Sequence, residues 1–393
     1  MNIKSLLLGS AAALIAVSGA RAADAVVVAE PEPAEYVKIC DVYGAGYFYI
    51  PGTEICLRIG GYVRYDISAG QAGSFDGNRY IDAKDFLDNG EFNENDGYYK
   101  RARFTLRTYT GQETEMGTLK TYTETRFNWG SGNDAYGFSN FGSQGVSLNF
   151  AWIQLGGLRV GKDESAFDTF IGYAGDVIQD TIVPYGGFDT NVVQYYFDGG
   201  NGFSAVASLE TGSGTFTSGF LGGDFGSDSI DSYVPYVVGG LKYTQGWGSI
   251  TGVAAYDSSI EEWAAKVRLD VTPMQNLSLF LMAGYGSDDN LPRNFYKQWG
   301  GNWAVWGGGT YTINEKTSFN LQASYDEAKE AGVAANIKYE IVPGLVITAE
   351  VDYAHNSHKV AGGDFGGYVY NWTGIPGDKK DAIGGILRFQ RSF

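Results

Sequence analysis

The chain has 393 residues, of which 57 are glycine, 28 tyrosine and 23 phenylalanine but only 9 proline. Tyrosine- and glycine-rich chains favour pleated strands joined by tight turns, which argues against a helical fold. The formal net charge of −17 would repel a nucleic acid backbone, so DNA and RNA are not expected partners. An aromatic content of 15% and an apolar content of 44% argue against an intrinsically disordered chain.

The first 22 residues have the pattern of a secretory signal peptide. Lys4 precedes an apolar run over residues 6–17, and small residues follow as far as Ala22. The run is too short to span a bilayer, and no later stretch of about 20 apolar residues exists. We therefore predict a leader over residues 1–22, cleavage after Ala22, and export.

Two cysteines, Cys40 and Cys56, lie near the start of the mature chain. In an oxidising export compartment such a pair usually forms a disulfide. A metal site would need further ligands nearby, and none are evident. We predict a Cys40–Cys56 disulfide within a segment over residues 23–56.

From Leu57 onward, apolar and polar side chains alternate. In the first such segment Ile59 and Val63 share one face, and Arg58 and Arg64 share the other. A period of two is typical of strands, whose successive side chains point to opposite faces. The sixteen predicted strands cover residues 57–67, 99–110, 117–129, 146–155, 158–162, 191–198, 202–210, 234–244, 248–256, 260–271, 276–286, 302–313, 317–325, 328–340, 345–354 and 382–393.

The predicted connections fall into two classes that alternate along the chain. Several are tight, such as Gly156-Gly157 and Pro343-Gly344. The long ones cover residues 68–98, 130–145, 163–190, 211–233, 287–301 and 355–381. Short periplasmic turns on one rim and long extracellular loops on the other are typical of an outer-membrane barrel.

The charged rows decide between a soluble and a membrane barrel. A soluble barrel would bury unpaired charges at several kcal/mol each, whereas a water-filled lumen removes that cost. About 16 strands enclose an aqueous channel, and closure leaves no strand edge in the hydrocarbon. We therefore predict an all-β fold: a closed antiparallel transmembrane β-barrel over residues 57–393, preceded by a periplasmic segment.

Both ends of this barrel carry a family resemblance. Residues 38–64, KICDVYGAGYFYIPGTEICLRIGGYVR, resemble the alphaproteobacterial outer-membrane porin family in the cysteine pair, the YGAG turn and the PGT before the first strand. The last residues, GILRFQRSF, are similar to a porin's final strand, and Phe393 resembles the signal for outer-membrane assembly. Arg391 departs from that signal, because an apolar residue is usual there. The resemblance implies a 16-stranded homotrimer in outer-membrane lipid that passes small hydrophilic solutes and ions, with no catalysis and no cofactor.

Two groups of charged residues are candidates for the pore constriction. The basic group consists of Arg58, Arg64, Arg101, Arg103, Arg107, Lys120, Arg126, Arg159 and Arg388. Within it, antiparallel pairing places Arg64, Arg101, Arg103 and Arg126 at similar heights. The acidic group lies in the link 163–190, which the resemblance implies is folded into the lumen, and contains Asp163, Glu164, Asp168, Asp176, Asp180 and Asp189.

We hypothesise that the acidic loop faces the basic arc across the narrowest point. The Debye length in physiological salt is about 8 Å, so a constriction of comparable width leaves ions unscreened from its walls. The alternative is a solvated lumen wall without a special role.

Other functions have weaker support. His355 and His358 are the only histidines. They could form half a metal site, but we expect them to lie in an ordinary surface loop without a metal. No predicted strand carries a histidine that could act as the base of a hydrolase. Two alternatives stay open: a structural or adhesive barrel whose loops bind a partner, and a solute-specific channel with an aromatic slide.

Overall fold

The segments that alternate in the sequence pair side by side as antiparallel strands. The computed structural model describes residues 38–70, 78–81, 87–90, 94–133, 139–212, 215–218, 223–226, 230, 233–287, 295–355 and 380–393. Within these residues the barrel strands are β1 (Cys56–Gly70), β2 (Tyr99–Thr114), β3 (Gly117–Asn133), β4 (Ser139–Leu155), β5 (Leu158–Glu164), β6 (Asp189–Asp198), β7 (Phe203–Glu210), β8 (Tyr236–Gln245), β9 (Gly248–Asp257), β10 (Glu262–Met274), β11 (Leu277–Gly286), β12 (Trp303–Asn314), β13 (Thr317–Asp326), β14 (Ala331–Val342), β15 (Leu345–His355) and β16 (Asp381–Ser392).

The barrel closes between its first and last strands. β1 pairs with β2 on one side and with β16 on the other, where Tyr62 lies opposite Ser392. The sixteen-stranded, closed antiparallel barrel predicted from the alternation is therefore confirmed over the described residues. At the closure Gly61 N donates to the Phe393 carbonyl over 3.0 Å. Gly61 has a φ of +155°, and a Cβ there would lie 2.0 Å from the Thr105 carbonyl oxygen, so this position requires glycine.

The two faces of each strand have opposite environments. On β13, Asn320 and Gln322 are fully buried, whereas Phe319 and Leu321 are 38% and 42% exposed. A protein that exposes its apolar rows and covers its polar rows is suited to lipid outside and water or protein inside. This arrangement confirms the face assignment on which the membrane prediction depends.

The connections separate by length, with one correction. Two-residue turns cover 115–116, 156–157, 246–247, 275–276, 315–316 and 343–344. The opposite rim carries the long connections 71–98, 165–188, 211–235, 287–302 and 356–380. The prediction of a long link over 130–145 was wrong, because β3 and β4 continue to pair as far as Asn133 and Ser139. Short hairpins occur within two long connections: Asn78–Ile81 with Glu94–Gly97, and Thr215–Ser218 with Gly223–Gly226.

The N-terminal part of the described chain is joined to the barrel by the predicted disulfide, which is present between Cys40 and Cys56. A short strand, Phe48–Tyr49, pairs with the start of β1 and is the seventeenth member of the sheet. Residues 39–393 form one compact unit. The predicted leader, residues 1–22, and the following residues to 37 lie outside the described part of the chain.

Aromatic side chains lie on the outer face near both rims. Near the rim with the long loops, Trp263 packs on Tyr285 and Trp303 packs on Tyr325, with ring centroids 5.6 and 5.9 Å apart. Near the other rim, Tyr311 is 43% exposed. Such girdles are typical of the two interfaces of a membrane barrel. Among the described residues no helix has the length and apolar character needed to cross a membrane.

Candidate pore constriction

The connection between β5 and β6, residues 165–188, lies against the inner wall of the barrel. It opens with a one-turn helix, α1 (Ala166–Thr169), whose N-cap Ser165 accepts a hydrogen bond from Phe167 N. Glu210 of β7 is buried and accepts from Ser165 Oγ over 2.6 Å and from Ala166 N over 2.9 Å. One buried carboxylate therefore fixes the start of the loop.

The far end of the loop is bound to strands β12–β15. Glu350 accepts hydrogen bonds from the backbone N–H groups of Ile178 and Gln179, over 2.6 and 2.7 Å. Gln322 Nε2 donates to the Asp180 carbonyl over 2.9 Å. Trp306 Nε1 donates to the Val183 carbonyl over 2.7 Å. These contacts hold the loop across the lumen face of this wall, which we call the loop-covered wall (β7–β15).

Apolar packing seals the same contact. Phe167 and Tyr185 of the loop are fully buried with Tyr296, Trp299 and Trp306. The rings of Tyr185 and Trp306 meet edge to face at 6.3 Å, and those of Trp299 and Trp306 at 5.5 Å. The loop-covered wall thus has a dry core of its own inside the barrel.

The loop acids are bound to this wall or to the loop itself. Asp168 Oδ1 accepts from Lys266 Nζ over 2.7 Å, and both side chains are fully buried. Asp176 pairs with Lys338 of β14. Asp180 accepts from Tyr185 Oη over 2.6 Å.

Burial changes the acidity of Asp180. It raises the pKa of this carboxyl to about 7 against the opposing hydrogen bond from Tyr185, and repulsion from Glu350 adds to the increase. At neutral pH the Asp180 carboxyl is therefore close to its midpoint of titration.

Asp163 and Glu164 lie at the end of β5 rather than in the loop, because β5 continues to pair with β6 as far as Glu164. Asp163 Oδ2 accepts from Arg159 Nη1 over 2.6 Å, and Glu164 accepts from Tyr173 Oη. Asp189 begins β6 and pairs with Lys162 over 2.7 Å.

The remaining basic residues lie on the opposite part of the wall. Arg64 and Arg103 are register partners on β1 and β2. Arg64 Nε donates to Gln390 Oε1 over 2.8 Å, and Arg103 Nε donates to Asn128 Oδ1 over 2.7 Å. Among the described residues no carboxylate lies within salt-bridge distance of these two guanidinium groups.

Two buried acids that the sequence analysis did not select hold four other arginines. Asp66 binds Arg101 over 2.8 Å and Arg388 over 2.7 Å. Glu124 binds Arg107 over 2.7 Å and Arg126 over 2.8 Å. Asp66 lies in the same row of β1 as Arg58 and Arg64, and Glu124 lies in the same row of β3 as Lys120 and Arg126. This position in a charged row was the signal that could have identified the two acids. We call Arg64, Arg101, Arg103, Arg107, Arg126 and Arg388, with Asp66 and Glu124, the arginine wall.

The last two predicted cations lie towards the rim of short turns. Arg58 lies between two rings, 4.0 Å from the Tyr109 centroid and 5.3 Å from the Tyr47 centroid. Lys120 is exposed on β3. The predicted basic residues therefore share the lumen face of β1–β3, β5 and β16.

The histidine pair is only partly described. His355 ends β15 with Nδ1 2.7 Å from Asp381 Oδ1, and His358 lies outside the described residues. In the described ranges no three His, Cys, Asp or Glu side chains are grouped as metal ligands would be.

Comparison with known proteins finds relatives in sequence and relatives in structure. A family model described as "Porin subfamily" matches residues 24–386. The porins Omp2b of Brucella melitensis and of Brucella suis are each 52% identical over 395 residues, covering 100% of both chains. Among solved structures, the outer membrane channel DcaP of Acinetobacter baumannii has a TM-score of 0.60 at 16% identity, covering 88% of this chain and 99% of its own. A mutant of the Rh. blastica porin has a TM-score of 0.50 at 14% identity, covering 86% of this chain and 100% of its own. At these identities the solved structures support the fold alone.

Proposed function

The chain belongs to the porin subfamily, and from this premise we propose that its arginine wall sets the ion preference of a general diffusion channel in the outer membrane. The barrel lies in the membrane with its apolar rows towards lipid and its charged rows towards the lumen. Small hydrophilic solutes and ions pass through that lumen by passive diffusion, and the family is one of channels rather than of enzymes.

This proposal rests on a difference between the two walls: the arginine wall has more positive than negative groups, whereas the acids of the loop are already bound. The arginine wall sets six guanidinium groups against two carboxylates. The loop acids are engaged in contacts with the loop-covered wall, as Asp168 and Asp176 are, or within the loop itself, as Asp180 is. Because a narrow lumen gives little screening, the unmatched guanidinium charge attracts anions and retards cations locally.

The test is a reversal-potential measurement in a KCl gradient across a planar bilayer. We expect the Arg64→Gln/Arg103→Gln variant to shift the reversal potential towards cation preference while the channel stays open, because neither arginine has an ion pair that the change would break. Arg391→Gln is the matched control, since Arg391 contacts the Pro343 carbonyl at the rim. A reversal potential that is unchanged in the double variant, or shifted equally by the control, contradicts the proposal.

The outer face of β2 and β3 carries a group of threonines beside apolar residues such as Phe104 and Phe127. Thr108 and Thr123, and Thr110 and Thr121, form hydroxyl–hydroxyl hydrogen bonds of 2.6 Å between β2 and β3. Outward positions on the far side of the barrel carry large apolar groups, such as Val267. Moving a hydroxyl group from water into hydrocarbon costs free energy, and one hydrogen bond to a neighbouring threonine offsets only part of that cost. The threonine patch (Thr108, Thr110, Thr121, Thr123) therefore favours a protein neighbour over lipid.

We infer that this neighbour is a second copy of the chain, and that the assembly is the homotrimer implied by the family resemblance. A symmetric assembly that buries the threonine patch puts the arginine walls of the copies back to back, near the common axis. The loop-covered walls then face the lipid from behind their apolar outer rows.

A further inference from the structure

A row of lumen-facing side chains crosses four neighbouring strands below the arginine wall. In register, Arg58 of β1 lies opposite Tyr109 of β2, which lies opposite Tyr122 of β3, which lies opposite Trp152 of β4. All four side chains are half-buried, so each keeps a surface open to the lumen. Cross-strand partners share one face of a sheet, which makes this row a single continuous surface.

The rings of the row are in contact with one another. The centroids of Tyr109 and Tyr122 are 4.8 Å apart, and those of Tyr122 and Trp152 are 5.5 Å apart. Each end is closed by a guanidinium group, with Arg58 4.0 Å from the Tyr109 centroid and Arg159 4.0 Å from the Trp152 centroid. We call Arg58, Tyr109, Tyr122, Trp152 and Arg159 the aromatic strip.

The two ends of the aromatic strip differ in charge balance. Arg159 is neutralised by Asp163 over 2.6 Å. Arg58 makes ring contacts on both sides, and no carboxylate of the described residues lies within salt-bridge distance of it. A guanidinium that stacks on rings still presents the N–H edge that binds carboxylates through two parallel hydrogen bonds.

We propose that the aromatic strip binds aromatic carboxylates during their passage through the channel. The carboxylate pairs with Arg58, and the solute ring lies on the surface formed by Tyr109, Tyr122 and Trp152. A neutral sugar would leave the Arg58 charge unmatched, and an inorganic anion would make no use of the rings. This inference rests on the proposed function, because the solute must enter through an open lumen.

The experiment is single-channel recording with sodium benzoate and, as the matched probe, sodium cyclohexanecarboxylate, which has the same charge without an aromatic ring. We expect benzoate to reduce the current saturably and to bind roughly fivefold more tightly than cyclohexanecarboxylate, as one aromatic pair contributes. Absence of KCl conductance would contradict the channel itself. Full KCl conductance with equal block by both probes would overturn the aromatic strip alone.

Variants locate the effect. Tyr122→Leu removes the central ring and should abolish the preference for benzoate, whereas Tyr122→Phe keeps the ring and should retain it. Trp152→Leu should also abolish the preference for benzoate, and it replaces Tyr122→Leu as the test if that variant does not assemble. Tyr311→Leu removes a tyrosine from the outer face and should leave benzoate binding unchanged. Arg58→Gln should weaken both probes. Retention of the preference in both leucine variants of the strip overturns the proposal.

Discussion

The arginine wall and the loop-covered wall arise from the same alternating pattern but differ in what covers them. On the arginine wall, every arginine except the buried Arg101 remains partly exposed, and four of the six bind one of two buried carboxylates, Asp66 and Glu124. On the loop-covered wall, polar side chains such as Lys266 and Gln322 are buried beneath residues 165–188. A row of polar side chains inside a barrel therefore need not face water. Where the row is exposed to the lumen it can bind ions, and where a loop offers hydrogen-bonding or charged partners it holds that loop in place.

We expect the largest effect from removing the buried ion pair between Lys266 and the loop residue Asp168. Lys266→Met leaves the Asp168 carboxylate buried without its cation, which typically costs about 3–5 kcal/mol. We expect the loop to detach from the wall, with a noisier and larger single-channel conductance and new proteolytic cleavage within residues 165–188.

Lys162→Met is the matched control, because the Lys162–Asp189 pair is partly exposed, with side-chain exposures of 28% and 50%. Exposed pairs contribute about 0–1 kcal/mol, so its conductance and protease resistance should stay close to those of the unaltered protein. Equal behaviour of the two variants would mean that the Lys266–Asp168 pair does not anchor the loop.

The outer faces sharpen the same comparison. Thr123→Trp places a large ring in the threonine patch, and overpacking of a protein contact costs about 1–3 kcal/mol. Val267→Trp places the same ring behind the loop-covered wall, where we expect lipid to accommodate it. Light scattering in mild detergent should therefore show a smaller assembly for Thr123→Trp alone. An intact trimer in that variant would exclude the patch as the contact.

The barrel strands could largely be predicted from the two-residue periodicity of the sequence. The partners of the acidic residues in the loop could not. The sixteen strands follow from local alternation, because side-chain direction on a strand depends only on neighbouring residues. The partners of the loop acids depend on tertiary contacts: Asp168 and Lys266 are 98 positions apart. No local pattern indicates that Asp168 turns towards Lys266 rather than across the lumen. The extension of β3 and β4 past residue 130 was missed because glycine-rich sequence there resembles a loop.

A smaller effect concerns pH. Because the pKa of Asp180 is raised to about 7 from an ordinary value of 3.8, protonation favours the folded loop, and this contribution is lost as the pH rises through about 7. We expect the thermal unfolding midpoint to fall between pH 5.5 and pH 8.0 by more in the unaltered protein than in Asp180→Asn. An identical fall in both would show that Asp180 does not contribute.

The direction of the alternating rows can be measured with two neighbouring residues of β2. Arg103 is on the lumen face of the arginine wall, and Phe104 is 38% exposed on the outer face. In the membrane-embedded protein, a charged, water-soluble thiol reagent should react with Arg103→Cys and reduce its conductance, and should leave Phe104→Cys unmodified within lipid or a neighbouring subunit. Modification of Phe104→Cys with protection of Arg103→Cys would contradict the account.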